Sequence, residues 1–227
     1  MKNSITINGK STITIGNNCF GKYNCIKSIE MTGNGIAIGD NCFNSCFLIS
    51  SKSLTKYFVK LESKSNIILG SSFLNESKFL TSVEIIGTDV DINSQCCKGC
   101  ESLSSFNINK AANIYFSNKE FDDCKNLKDL TLLSSSKIHI LKHFLTDKSY
   151  IKKLEINSQQ VIIEEYSFES CSSIVSFSIK QPKEINIYEN TFHLCSNLKN
   201  ISLMSSKFIN LFNSCFSGMK ELESVNL

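Results

Sequence analysis

At 227 residues and 41% apolar content the chain is long enough for one or two folded domains. Its net charge of +3 is scattered, which excludes the basic stripe that nucleic acid or an anionic membrane would call for. No window approaches the roughly 20 apolar residues needed to span a bilayer, so neither nucleic-acid binding nor membrane insertion is expected.

In chain order, Met1-Lys-Asn-Ser-Ile5-Thr-Ile7 alternates polar and apolar side chains, which is strand-like and lacks a signal-peptide core. Ile13 and Ile15 form the next i, i+2 apolar pair, and an anchor follows at Phe20. Tyr23, Ile26, Ile29 and Met31 stand three, six, nine and eleven residues after that anchor. The frame then recurs at anchors Phe43, Leu74, Cys97, Phe121, Leu145, Phe168, Phe192 and Phe216, with intervals of 23, 31, 23, 24, 24, 23, 24 and 24 residues. Around Phe121, for example, Ile114 and Phe116 precede it, and Cys124, Leu127, Leu130 and Leu132 follow at the same offsets.

Two apolar i, i+2 pairs per repeat predict two short strands, because alternate strand residues share a face. A unit this short cannot bury its own apolar face, so neighbouring units must stack and share one core. With parallel strands about 4.8 Å apart, nine units give a solenoid about 40 Å long. Between anchor and sixth offset, segments such as Phe121-Asp-Asp-Cys-Lys-Asn-Leu127 are too short for a full helix and predict a single turn capped by polar side chains.

The 31-residue interval after Phe43 is the exception. It opens on frame with Cys46 and Ile49, but Lys52 falls on the apolar ninth offset. The surplus is therefore expected within about 55–66, as a bulged loop or a strand extension, with Tyr57 and Phe58 as candidate contact residues. The whole of 1–227 reads as one repeat domain, with a partial first coil at 1–12.

The frame of anchor-x-x-Cys-x-x-Leu-x-x-Ile-x-Ile, as in Phe168-Glu-Ser-Cys171-Ser-Ser-Ile174-Val-Ser-Phe177-Ser-Ile179, resembles the BspA-type leucine-rich repeat from about Ile5 to Leu227. The resemblance implies an α/β-type, mostly β solenoid: a right-handed superhelix of about nine 23–24-residue repeats with a parallel sheet on its concave face. It also implies protein binding, with adhesion and host-cell contact among the roles of members, which occur in bacterial surface proteins and in parasitic protists. The family often has proline just after the second strand residue. Here that region reads Met31-Thr-Gly or Leu132-Leu-Ser, so the turn leaving the concave strand is expected to differ.

On such a concave sheet the outward side chains stand at offsets eight, ten and twelve. The candidate binding face is then Glu30, Glu84, Ile86, Asn107, Asn109, Thr131, Leu133, Glu155, Ser178, Lys180, Ser202 and Met204. Small polar groups dominate it, which suits an ordinary solvated face as well as a binding face. Ile86, Leu133 and Met204 are the best candidates for a local apolar hot patch.

Eleven cysteines invite a metal or disulfide reading, but most recur at fixed repeat positions. Cys46, Cys100, Cys124, Cys171 and Cys195 occupy offset three, which marks them as reduced, small core residues. Cys97-Lys-Gly-Cys100 has zinc-site spacing, yet no second pair follows it. His139 and His143 flank the strand pair Ile138/Ile140, and His139, pointing opposite its apolar neighbours, is expected to be a solvated strand residue. No nucleophile–base motif or Gly-rich phosphate loop appears, so no catalytic residue, cofactor or metal is expected.

The leading expectation is a non-catalytic protein–protein interaction scaffold. One alternative is a surface adhesin that binds host proteins or glycans. Another is a self-assembling structural element, a homo-oligomer formed through the last coil, where Phe216, Met219, Leu222, Val225 and Leu227 have a neighbour on one side only. Reduced cysteines and the polar start favour the cytoplasm, with the cell surface as the alternative.

Overall fold

A computed structural model describes residues 3–48, 56–145, 150–180 and 182–227. The first half contributes β1 (Ser4–Asn8), β2 (Thr12–Ile15), β3 (Ser28–Gly33), β4 (Gly35–Ile38), β5 (Phe58–Ser63), β6 (Ile67–Leu69), β7 (Ser82–Ile86) and β8 (Asp89–Ile92). Two long strands follow, β9 (Ser105–Phe116) and β10 (Asp129–Ile140). The remainder is β11 (Lys153–Asn157), β12 (Gln160–Ile163), β13 (Ser176–Ser178), β14 (Glu184–Ile187), β15 (Asn200–Ser202), β16 (Phe208–Leu211) and β17 (Ser224–Asn226). Among the described residues there is no helix, hence none long and apolar enough to cross a membrane.

The strands form two parallel ladders. The first runs β1-β3-β5-β7-β9-β10-β11, and the second runs β2-β4-β6-β8-β9-β10-β12-β14-β16. β9 and β10 are long enough to belong to both, and register shifts between Leu132 and Lys137 mark the crossing. A separate sheet of β13, β15 and β17 continues the first ladder's repeat positions.

Register follows the repeat. Ile5 pairs with Ile29 and Ile29 with Val59, so each apolar position stacks on its own equivalent. Leu127, Leu130, Leu132, Ile174 and Phe177 are buried as the pattern requires. Ser178 is exposed, whereas Asn107 and Thr131, expected to face solvent freely, are half-buried. Parallel neighbours about 4.8 Å away on both sides cover the flanks of each outward side chain.

The irregular interval is resolved differently from expectation. Ser28 pairs with Phe58 and Met31 with Leu61, so Val59 and Leu61 hold the ninth and eleventh offsets. Residues expected as an insertion therefore form β5, and Tyr57 and Phe58 are not a contact loop. Tyr57 is 6% exposed and meets the buried Phe47 ring edge-on at 6.5 Å. Phe58 is half-buried in the ladder. The surplus lies upstream, between Leu48 and Lys56; Ile49, Lys52 and the rest of 49–55 lie outside the described residues. The physical reason is spacing: Val59 precedes Ile67 by eight residues, matching Phe106 to Ile114, so this choice preserves both ladders.

Among the described residues the turns around the anchors are held by left-handed residues on either side. Asn41 (φ 54°) and Ser45 (φ 56°) flank Phe43, and Asn190 (φ 53°) and Leu194 (φ 60°) flank Phe192. Such φ values are uncommon for residues other than glycine. They persist because the anchor N–H groups bond to the next coil, Phe43 to the Phe73 carbonyl at 3.0 Å and Phe192 to that of Cys215 at 2.8 Å. At Gly99 the left-handed φ of 72° favours glycine for the backbone conformation itself.

Candidate binding groove

Glu30, Glu84, Ile86, Asn107, Asn109, Thr131, Leu133 and Glu155 are all half-buried along the continuous stretch of the first ladder. Their charges are partly matched in place: Glu84 sits 3.9 Å from Lys60, and Glu155 3.3 Å from Lys153. Ile86 also lines a groove of about 490 Å³ near the start of the ladder, with Thr32, Gly33, Glu62 and Lys64.

The last four candidates behave differently. Ser178, Lys180 and Met204 are exposed, and Ser202 is half-buried. All four line one open groove of about 950 Å³, together with Asn157, Gln159, Ile179, Pro182, Lys183, Ser205 and Ser206. The groove lies where the first ladder breaks. β11 and β13 are joined only by the bridge between Ile156 and Ile179, and β13 and β15 stop after three residues.

Pro182, the only proline in the chain, sits where β9 and β10 run on from one ladder into the other. Without an N–H, proline cannot donate to a ladder and favours strand ends. Its carbonyl still accepts from Ser206 N–H at 3.1 Å, while Lys183 N–H donates to the Gln159 carbonyl at 2.7 Å. The crossing segment thus stays attached to its neighbours outside regular strand pairing. Gln159, Pro182, Lys183, Ser205 and Ser206 were not legible as site residues from repeat position. The single proline was the available signal.

The cysteines have a more specific role than filling space. Sγ of Cys46, Cys100, Cys124, Cys171 and Cys195 donates to the carbonyl of the preceding anchor, at 2.9, 3.1, 3.0, 3.1 and 3.1 Å respectively. Ser77, at the same repeat position, donates to the Phe43 carbonyl at 3.4 Å. Offset three therefore favours a small side chain that also carries a weak donor.

All eleven thiols are free, and Cys19 is the exposed one. Burial pushes the Cys46 thiol up to about 11 and that of Cys195 up to about 12, so neither holds appreciable thiolate at neutral pH. Among the described residues no group of three or more His, Cys, Asp or Glu side chains is placed to hold a metal ion.

The histidines, His139 on β10 and His143 and His193 in turns, each make a side-chain contact with another coil. His139 points away from its apolar neighbours, but it is half-buried with Nε2 2.9 Å from Glu164 Oε1. Tyr115 packs edge-on to it at 6.5 Å. His143 stacks on Tyr166 at 5.4 Å, and His193 Nδ1 lies 2.7 Å from Ser217 Oγ. These contacts link successive coils.

The family model described as "BspA type Leucine rich repeat region (6 copies)" matches residues 2–128, 53–175 and 114–227. No curated protein matches in sequence. A crystal structure of a leucine-rich repeat protein from Bacteroides ovatus is similar over 93% of this chain and 85% of its own, at 15% identity and a TM-score of 0.31. Family matches across the full repeat array agree with the stacked, in-register coils. The chain belongs to the BspA-type leucine-rich repeat family.

Proposed function

We propose that this protein is a non-catalytic protein-interaction scaffold that engages its partner at the groove between Ser178 and Met204. Leucine-rich repeats commonly mediate protein interactions and are typically non-catalytic, which supplies the general role. The groove supports the particular place. Three of the four candidate residues there are exposed, and a gap in the ladder adds depth beside the exposed side chain of Met204. Buried, hydrogen-bonded thiols suit a reducing compartment, so we place the scaffold in the cytoplasm.

A photo-crosslinking residue at Met204 tests this in extracts of the native cell. It should capture a discrete protein, competed by excess unmodified chain, while the same probe at exposed Asn210 on the second ladder should not. Equal capture from both positions, or none from Met204, would sink the groove as the contact site.

A second reading, self-association, is favoured by a different observation. Phe208, Leu211, Phe212, Val225 and Leu227 are 42, 38, 41, 49 and 60% exposed. Apolar burial stabilises by about 25 cal/mol per Å², so joining such surfaces would release a few kcal/mol. On this reading the chain sediments as an oligomer, and Val225→Lys with Leu227→Lys converts it to a monomer. A chain already monomeric at high concentration would remove the reading.

A further inference from the structure

We infer that the groove selects an acidic peptide segment, one that presents carboxylate side chains beside an apolar residue. The inference rests on the interaction reading above and adds the chemistry of the partner. Lys180 and Lys183 both line the groove, and among the described residues no carboxylate does. The carboxylates on the flanking strands are already engaged. Glu155 on β11 pairs with Lys153 at 3.3 Å, and Glu184 on β14 pairs with Lys207 at 3.4 Å while accepting from Gln160 Nε2 at 2.8 Å. Neither Lys180 nor Lys183 has an ion-pair partner among the described residues.

The apolar component is equally local. Met204 is 60% exposed, beside buried Ile179 and Pro182. A flexible thioether side chain adapts to an incoming aliphatic group, and its burial supplies affinity that charge alone does not. Hydroxyl and amide groups of Ser178, Ser202, Asn157 and Gln159 line the same space and can bond to peptide backbone. Earlier along the first ladder Lys60 is paired with Glu84, and the smaller groove carries Glu62 beside Lys10 and Lys64. The larger groove is the one of the two whose described lining has lysines and no carboxylate.

The test uses the full chain and a short fluorescein-labelled peptide of glutamates flanking a central leucine, with a glutamine-for-glutamate peptide as control. Fluorescence polarisation should show saturable binding of the acidic peptide only, weakening as salt rises. Lys180→Glu with Lys183→Glu should weaken binding by about tenfold or more. Lys125→Glu with Lys220→Glu makes the same change in net charge on distant turns and should leave it unaltered. Equal losses in the two double variants would reduce the effect to general attraction and overturn the inference, as would absence of acidic-peptide binding. The scaffold reading is judged separately: a partner crosslinked at Met204 whose capture survives Lys180→Glu with Lys183→Glu rejects the acidic ligand and retains the scaffold.

Discussion

Replacing Glu120 with glutamine is expected to stabilise the protein at neutral and alkaline pH and to remove much of its loss of stability above pH 5. Glu120 is fully buried just before anchor Phe121, and neither carboxyl oxygen has a hydrogen-bond partner among the described residues. Desolvation, its own backbone amide offsetting it only in part, pushes the carboxyl from its ordinary 4.5 up to about 8, and nearby Asp122 adds to the rise. A carboxyl whose pKa is raised by folding contributes fully below its unfolded value and loses that contribution as pH climbs through the folded one. The window here is 4.5 to about 8.

Linkage over that window amounts to about 4–5 kcal/mol, of which roughly 2–3 kcal/mol falls between pH 5 and pH 7. Urea titrations at those two pH values should show the native chain losing this amount and Glu120→Gln losing far less. A parallel pH dependence in the two proteins would show that Glu120 ionises freely. Equivalent positions show what the site accommodates. Ser167 Oγ donates to the Glu164 carbonyl at 2.6 Å, and Thr191 Oγ1 donates to that of Tyr188 at 2.8 Å. Glu120→Thr should therefore also be stabilising at neutral pH.

Truncating Phe168 to alanine should cost about 3–5 kcal/mol, the range for deleting a fully buried aromatic ring. Phe168 is 0% exposed and stacks on Phe192 with centroids 5.1 Å apart. It also meets Phe144 edge-on at 5.9 Å and Phe177 at 6.3 Å, so contacts to both neighbouring coils are lost together. Phe216→Ala is the comparison. That ring holds the same repeat position but is half-buried, with a stacking contact to Phe192 at 5.4 Å. Its cost should be about half or less, because coils in a solenoid are stabilised through nearest neighbours. Urea midpoints give both values. Equal losses would mean that the last coil is as well packed as the interior.

Repeat position made the architecture legible because burial and strand pairing act alike on every coil. Ile29, Val83, Phe106 and Leu130 could be assigned inward from spacing alone, since a one-residue slip would turn each of them to solvent. The cysteine positions were equally plain, but their thiol-to-carbonyl bonds were not, because the acceptor belongs to a residue 26 or 27 positions earlier. Residues 55–66 were misplaced because the apolar frame could restart at either side of the surplus. The pairing of Val59 and Leu61 with Ile29 and Met31 settled the choice.

The candidate groove was only half legible. Ser178, Lys180, Ser202 and Met204 followed from outward offsets, as did eight residues that lie half-buried along a continuous sheet. Local sequence therefore determined the repeat, the two ladders, the core and the family. Tertiary structure alone decided where the larger groove opens, because it lies where adjacent coils of the first ladder cease to pair. At Pro182 the missing N–H lies at the crossing from one ladder to the other, and the neighbouring coils stay bonded around it through Lys183 and Ser206. The same dependence on neighbours holds for Glu120: its charge is written in the sequence, but its burial is set by the coils stacked on either side.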